Sequence, residues 1–207
     1  MKKLFLSAAV VMSTLTFAQQ FGVKAGMNVS SLSEDSNLSD QGSKIGFNAG
    51  VFANIPIAAS FSVQPELIYT QYGEKYDYTV PSTIITDETR YSGATHLDYV
   101  ALPVMLQYNV TPSFYLEAGP EFGLLVSAKD KAKNETTGET LAESDNYKDS
   151  LNGFNFGAGI GAGYFFTPNI GITARYVAGF TDIYKDGQNS GDAVKNNVFQ
   201  AGLAYKF

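Results

Sequence analysis

The chain has 207 residues and no cysteine, and its 20 acidic and 14 basic residues leave a formal net charge of −6. The length predicts a single domain, the lack of cysteine excludes disulfide stabilisation, and the acidic balance argues against nucleic acid as a partner. With one histidine and no cysteine, the sequence has no ligand cluster for zinc, so neither a metal nor another cofactor is expected.

The first residues have the three parts of a secretory signal peptide. Lys2 and Lys3 provide the positive start, residues 4–11 the apolar middle, and residues 16–18 the small-residue end. Cleavage after Ala18 would leave residues 19–207 as a single mature domain and would change the formal charge from −6 to −8. Beyond this segment the sequence has no apolar run of about 18 residues, so a membrane crossing would require β-strands.

Alternation of apolar with glycine or polar residues predicts eight β-strands along the remaining chain. The sixth is the clearest, because six apolar residues from Phe154 to Tyr164 alternate with Asn155 and four glycines. One face is a continuous apolar band, which predicts an all-β fold, an eight-stranded antiparallel up-and-down transmembrane β-barrel with this band against lipid. In chain order the predicted strands are residues 21–28, 45–54, 61–72, 97–109, 114–127, 154–164, 170–180 and 199–207.

The fourth predicted strand is less regular than the others. Tyr99 and Ala101 belong to one phase of the alternation, whereas Val100 and Leu102 belong to the other, and Pro103 follows them. Because proline cannot donate a ladder hydrogen bond, a bulge or a change of phase is expected near Pro103, and the register of this strand stays open.

Long and short connections alternate between the predicted strands. The long polar connections hold 16 of the 20 acidic residues. Outer-membrane barrels carry long loops outside and short turns in the periplasm, so the pattern predicts extracellular long loops and periplasmic N- and C-termini. The long connections are residues 29–43, 73–95, 128–152 and 181–196, and the short ones are residues 55–60, 110–113 and 166–169.

Several short motifs are similar, in their order, to those of one family. They are residues 22–28 (GVKAGMN), 65–67 (PEL), 98–103 (DYVALP), 117–121 (EAGPE), the glycine repeat of 157–163 and the terminal 205–207 (YKF). On these motifs the chain resembles the porin-family outer-membrane β-barrel domain proteins, the PorT-like group, over nearly all of its mature length. A looser likeness connects it with the outer membrane proteins A, X and W. The resemblance implies an eight-stranded barrel and, for most members, no assigned activity.

The glycine-rich and polar phase of the strands would face the barrel interior. Unpaired charges in a narrow interior are costly, so the carboxylates there are expected to pair with Lys24 and Arg175. The charged set predicts either a plug of ion pairs that closes the lumen or a charged ion or proton path. The plug is favoured, because side chains can fill the interior of an eight-stranded barrel. The six charged residues of this phase are Lys24, Glu66, Glu117, Glu121, Arg175 and Lys206.

Two further features concern strand ends. The last strand ends in Tyr205 and Phe207 after alternating apolar residues, which is similar to the signal that the outer-membrane barrel assembly machinery recognises. Aromatic residues near the other strand ends predict interfacial girdles, and they are Tyr69, Tyr72, Tyr99, Tyr108, Phe114, Tyr164, Phe165, Phe166 and Phe180.

Catalytic residue types are scarce. The only histidine, His96, precedes Asp98 by two residues at the predicted outer rim, where barrel proteases and acyltransferases use histidine with aspartate or serine. No evident nucleophile or second carboxylate pair accompanies it, so an incidental rim histidine is favoured and no enzyme is predicted.

The sequence therefore predicts a non-catalytic outer-membrane barrel with a structural or interaction role. Its wall would contact outer-membrane lipid, and its long loops would recognise an unknown extracellular ligand. The alternatives are a porin-like barrel for small solutes or ions, a component of a secretion or gliding apparatus, a rim enzyme, and a secreted soluble lipid carrier. The apparatus rests on the resemblance alone. The carrier needs an apolar interior, whereas glycine and charged residues here share the face away from the apolar band.

Overall fold

The protein is built almost entirely of β-strands. The computed structural model describes residues 19–33, 41–80, 89–134, 140–185 and 193–207, and the predicted signal segment lies outside them. A short 3₁₀ turn covers Lys148–Ser150. No helix in the described ranges is long and apolar enough to cross a membrane. The strands are β1 (Gln20–Leu32), β2 (Gln41–Ala58), β3 (Phe61–Val80), β4 (Thr89–Asn109), β5 (Phe114–Asn134), β6 (Thr140–Glu143), β7 (Phe154–Phe165), β8 (Ile170–Gly179) and β9 (Asn196–Lys206).

Eight of these strands form a closed antiparallel ring in which each strand pairs with its neighbours along the chain. The order is β1-β2-β3-β4-β5-β7-β8-β9, and the pairing of β1 with β9 closes the ring. The short strand β6 pairs with β5, with Glu143 opposite Lys131. The predicted eight-stranded up-and-down barrel is confirmed.

The connections give the barrel two unlike ends. Short links follow Ala58, Asn109 and Phe165, and they lie at the same end as Gln20 and Lys206. We call this end the short-turn end and the opposite one the long-loop end. Links this short are possible because each one joins two antiparallel strands that are paired with each other.

Large apolar side chains cover the outer face of the ring, and we call this surface the apolar belt. Its members include Ile160, which is 66 % exposed, Leu203, which is 58 % exposed, and Phe47, which is 49 % exposed. On β4 it runs from Val100 to Tyr108, close to the length of about 9–11 residues with which a tilted strand crosses a bilayer. The predicted outward direction of the apolar phase is confirmed. In water such a surface would be strongly unfavourable, so the belt requires an apolar surrounding.

Strands β3, β4 and β5 continue far past the belt at the long-loop end. The β3–β4 ladder reaches Val80 opposite Thr89, and the β4–β5 ladder reaches Tyr91 opposite Asn134. We call these projecting segments, residues 73–80 of β3, 89–98 of β4 and 128–134 of β5, together with β6, the extension. The prediction that residues 73–95 and 128–152 are connections throughout is wrong. On β4 before Leu97, both faces of the strand are small or polar, so the alternation that marks a strand disappears from the sequence there.

The register of β4 differs from the expectation at Pro103. Pro103 pairs with Glu121 in the same register as Leu106 with Ala118, so neither a bulge nor a change of phase occurs there. A missing N–H removes one ladder bond without adding a residue, and the register therefore survives. The irregularity lies instead between Asp98 and Tyr99, where the β5 partner changes from residue 127 to residue 125.

The predicted aromatic girdles are only partly correct. Tyr72, Tyr99 and Phe165 are buried and face the interior. Tyr164 and Phe180, by contrast, are exposed on the outer face. The three buried rings occupy the same inward phase as the lumen charges, so their nearness to a strand end was a weaker guide than the phase of the alternation.

Buried side chains lie in layers inside the barrel. At the short-turn end, Phe52, Tyr115, Phe165 and Ala204 form a buried cluster, which we call the short-end cluster. Gly163 makes room for it, because a Cβ on this glycine would lie 2.3 Å from the ring of Tyr115. The middle of the barrel is polar and charged. Beyond it lies the long-end cluster of buried apolar residues: Leu32, Tyr72, Leu97, Tyr99, Leu125, Ala128, Leu151, Val177, Ile183, Val194 and Val198.

Candidate functional site: a charged layer inside the barrel

Arg175 of β8 is the centre of a charged layer that crosses the barrel interior. Its Nη1 and Nη2 donate to Oε2 and Oε1 of Glu66 at 2.9 and 2.8 Å, and its Nε donates to Oε1 of Glu117 at 2.7 Å. A guanidinium presents its donors in a fixed planar fork, so it can hold two carboxylates on different strands at once. Glu66 lies on β3, opposite β8 in the ring, and Glu117 lies on β5, which is separated from β8 by β7 alone.

The remaining acceptors of the two carboxylates are also used. Lys24 donates to Oε2 of Glu66 at 3.0 Å, and Gln64 donates to Oε1 at 2.8 Å. Gln107 donates to Oε2 of Glu117 at 3.0 Å. We call the six residues of these contacts the ionic layer: Lys24, Gln64, Glu66, Gln107, Glu117 and Arg175.

The ionic layer is almost completely removed from solvent. Its most exposed member, Lys24, is 8 % exposed, and Glu66 is 1 % exposed. Two positive and two negative groups face one another, so the layer is electrically balanced. Balance matters, because a charge that is buried without a partner is strongly destabilising, whereas a fully paired and hydrogen-bonded group is tolerated.

Glycines on β7 provide the space in which Arg175 lies. A Cβ built on Gly159 would stand 3.3 Å from Cδ of Arg175 and 2.8 Å from Cε of Met105. A Cβ on Gly161 would lie 3.1 Å from Oε1 of Glu117. The inner face of β7 therefore has no side chains at this level, and long side chains from the facing strands fill the volume.

Two of the six charged residues predicted for the lumen lie outside this layer. Oε1 of Glu121 accepts a hydrogen bond from the hydroxyl of Tyr72 at 2.5 Å, nearer the long-loop end. Lys206 lies at the short-turn end with its Nζ 3.9 Å from the centre of the Phe165 ring. The structure thus brings together Lys24, Glu66, Glu117 and Arg175, but it does not bring Lys206 into the network. Lys206 is the last strand residue, so it sits at the barrel mouth instead of at mid-height.

Sequence reasoning missed the uncharged residues that complete the layer. Gln64 and Gln107 bind its carboxylates, and Asn54 donates to Oε1 of Gln107 at 2.7 Å. Ile68 and Met105 are buried in the same inward-facing phase. The signal was present in the alternation, since all five positions share the inward phase of their strands, but the prediction used only the charged residues of that phase.

The predicted rim residues, His96 and Asp98, are on β4 in the outward phase that contains Val100, so they face away from the lumen. Within the described ranges, no group of three or more His, Cys, Asp or Glu side chains is arranged to hold a metal ion. Tyr205 and Phe207 are exposed at the short-turn end, with ring centres 5.5 Å apart.

A closed antiparallel ring with an outward apolar belt and a polar interior defines a transmembrane β-barrel. Residues 17–185 match the outer membrane protein beta-barrel domain family, and the chain belongs to that family. The protein is therefore an integral protein of the outer membrane. Comparison with curated protein sequences finds no match.

Solved structures of outer-membrane proteins are similar in fold. Neisserial surface protein A, NspA, has a TM-score of 0.51 and 19 % identity, covering 92 % of this chain and 99 % of NspA. Ail, the attachment invasion locus protein of Yersinia pestis, has a TM-score of 0.48 and 15 % identity, covering 92 % of this chain and 100 % of Ail. At such identities the similarity to NspA shows the fold alone.

Proposed function

We propose that the protein is a closed, non-catalytic barrel that anchors its long-loop end at the cell surface, where the loops bind an external ligand. In this proposal both termini are periplasmic, and the wall contacts outer-membrane lipid. The observation that carries the proposal is the layered interior, in which the ionic layer lies between the short-end and long-end clusters. A lumen filled in this way leaves recognition to the surfaces outside it.

The ionic layer supports a plug more strongly than an ion path. A path needs charged groups that exchange partners with passing ions, whereas Glu66 is bound by Arg175, Lys24 and Gln64 at 2.8 to 3.0 Å. Apolar residues obstruct both approaches to the layer, Phe52 on one side and Leu97 on the other. Opening would therefore require the loss of several buried charge-assisted hydrogen bonds at once.

Electrical conductance tests the closed lumen. Purified protein inserted in planar lipid bilayers is expected to produce no sustained unit conductance, while a conducting porin in the same bilayers serves as the positive control. Sustained unit conductance of the wild-type barrel would contradict the plug and favour the porin-like alternative.

The orientation can be tested because the natural chain has no cysteine. Ala193→Cys places a single thiol at the long-loop end, and Pro168→Cys places one in a short turn. In intact cells a membrane-impermeant maleimide is expected to label the first variant and to label the second only after the outer membrane is permeabilised. The reverse pattern would contradict the proposed periplasmic termini.

A double variant at the rim tests the non-catalytic role. Wild-type protein and the double variant His96→Ala/Asp98→Ala are expected to be equally inactive toward peptide and acyl-lipid substrates. Turnover by the wild type that the variant lacks would favour the rim enzyme.

Removal of Phe207 is expected to reduce membrane assembly through the barrel assembly machinery, measured as the fraction of heat-modifiable protein. An unchanged fraction would contradict this part of the proposal.

A further inference from the structure

A groove lies on the outer face of the extension, next to the apolar belt. Its volume is about 560 Å³, and we call it the basic groove. Small residues, among them Gly42, Ser92 and Ala94, form much of its lining. Five of its lining residues are basic: Lys44, Lys75, His96, Lys131 and Lys133.

Strand register explains why these lysines surround an open space. Ala94 of β4 pairs with Lys75 of β3 on one side and with Lys131 of β5 on the other. Paired residues of antiparallel strands project to the same face, so the three side chains form one outward row. Two interstrand spacings separate the lysine backbones, about 10 Å. The methyl group of Ala94 leaves the space between them empty, and Lys133 joins the same face two residues after Lys131.

An opening in the β2–β3 ladder brings Lys44 to the edge of the groove. The regular pairing of β2 with β3 is interrupted between Ser43 and Asn48. Asn28 of β1 donates to backbone carbonyls of both strands there, and Nζ of Lys44 donates to the carbonyl of Tyr72 at 2.9 Å. Lys44 is therefore a buried, fixed cation beneath the exposed lysines.

Carboxylates also lie close to the groove. Asp98 lies below His96 in the same outward phase, and both Asp98 and Asp130 act on His96. Lys75 and Lys133 are exposed at the mouth of the groove. Burial and then the charges of Lys44 and Lys131 lower the pKa of His96 to about 4, which is consistent with a positive local field.

The groove faces sideways at the level where the lipid headgroups begin. On β4 the outward row continues from Val100 of the belt to His96 and Ala94, about 13 to 20 Å farther along the strand. Measured from Tyr108 at the other end of the belt, His96 and Ala94 lie about 28 to 33 Å along the membrane normal for a strand tilted by about 45°, which is about the thickness of the hydrocarbon layer. Ile45 lines the groove and is 61 % exposed as part of the apolar belt, so the two surfaces are continuous.

We propose that the basic groove binds the phosphorylated headgroup of a lipid in the outer leaflet. Lys75 and Lys133 donate to the phosphate oxygens, while acyl chains of the same lipid lie against Ile45 and Val100. The continuity of the groove with the belt favours a lipid over a soluble phosphate, because only a lipid occupies both surfaces together. The inference rests on the proposed orientation, since the long-loop end must lie on the outer-leaflet side.

Calorimetry with purified full-length protein in a neutral detergent tests the groove. The probes are bisphosphorylated lipid A, the same lipid without its phosphates, and inorganic phosphate. The double variant Lys75→Gln/Lys133→Gln is expected to bind bisphosphorylated lipid A about 10-fold more weakly than the wild type. The matched control, Lys148→Gln/Lys185→Gln, removes the same charge from residues of the long-loop end that do not line the groove, and we expect less than about a 2-fold change from it.

Three results would overturn the proposal. The first is unchanged affinity of Lys75→Gln/Lys133→Gln for bisphosphorylated lipid A, and the second is equal weakening by the control variant, which would indicate bulk charge alone. The third is equal affinity for inorganic phosphate and lipid A, which would make the ligand a soluble anion. Binding in detergent does not depend on orientation in cells, so failure here is distinguishable from failure of the cysteine labelling that tests the proposed function.

Discussion

The wall of this barrel has a low side and a tall side. Strands β7, β8 and β9 have 12, 10 and 11 residues, whereas β3, β4 and β5 have 20, 21 and 21. The low side is just long enough to cross a bilayer with tilted strands of about 9–11 residues. The tall side has about twice that length, so half of it stands beyond the membrane as the extension.

The two sides differ in what their outer faces meet. On the low side the outward phase is apolar along its length, as at Ile160 and Leu203. On the tall side it changes at the belt edge from Val100 to His96 and Lys75, while the inward phase stays apolar at Leu97 and is buried in the long-end cluster. The comparison shows that the surroundings of the outer face decide the residue pattern, and that the extension is held together from within.

The largest expected effect is at the ionic layer, which serves both sides of the wall. Arg175→Met leaves Glu66 and Glu117 without their central partner, and we expect the free energy of unfolding to fall by about 3–5 kcal/mol. Urea unfolding in lipid vesicles, followed by heat-modifiable gel mobility, measures the change.

The control for this prediction is Lys206→Met, which removes a cation at the barrel mouth and should cost less than about 1 kcal/mol. The triple variant Arg175→Met/Glu66→Gln/Glu117→Gln should recover part of the loss, because no uncompensated charge remains. If the single and triple variants were equally unstable, lost packing rather than buried charge would explain the effect, and the electrostatic account would be wrong.

The sequence predicted the low side closely and the tall side poorly. The predicted strand 154–164 differs from β7 by one residue, because lipid outside and glycine inside keep the two phases distinct. The beginning of β4 was missed, since Ser92, Ala94 and Thr95 make both faces of the strand small or polar. The end of β3 was missed although Tyr76, Tyr78 and Val80 alternate with polar residues there. Alternation therefore located the membrane-crossing part of each strand, but on β4 it gave no signal where water replaces lipid.

The phase of the alternation predicted which residues of the candidate site face the interior, but it could not predict which of them contact one another. The inward phase selected Lys24, Glu66, Glu117 and Arg175 without knowledge of the structure. Which of them meet depends on the stagger of the closed ring, which sets the height of each residue along the axis. No local pattern encodes that height, and for this reason Lys206 and Glu121 were grouped with residues that they do not contact.

The second prediction tests whether the tall side is stabilised from within. Leu97→Ala removes a fully buried side chain of the long-end cluster, and we expect about 2–4 kcal/mol of local destabilisation. Because the belt strands are unaffected, the loss should appear as faster tryptic cleavage at Lys129 and Lys131 while the barrel keeps its heat-modifiable mobility. Leu106→Ala, a belt residue facing lipid, is the control, and cleavage that is equally fast in both variants would contradict the prediction.

The third prediction concerns a hydrogen-bond pair within the extension. Oδ1 of Asp130 accepts from Thr95 at 2.8 Å and from the hydroxyl of Tyr147 at 2.9 Å. Tyr147→Phe keeps the ring and removes one donor, and the extension should lose about 1 kcal/mol of local stability. Amide hydrogen exchange at residues 128–134 measures the loss, and exchange at β7, which should not change, is the internal reference. Unchanged exchange in both segments would show that the hydroxyl contributes nothing.

The smallest expected effect is at His96, outside the membrane-crossing part of β4. Burial and then the charges of Lys44 and Lys131 lower its pKa to about 4, although Asp98 and Asp130 act in the opposite direction. Since this folded-state pKa lies below the usual 6.5, the associated stability of the extension is complete above that pH and is lost as the pH falls toward 4. His96 is the only histidine, so its NMR signal is unambiguous. Lys131→Gln should raise the midpoint by removing a repulsive charge, whereas a wild-type midpoint near 6.5 would show that the outer face of the extension is neither partly buried nor positively charged.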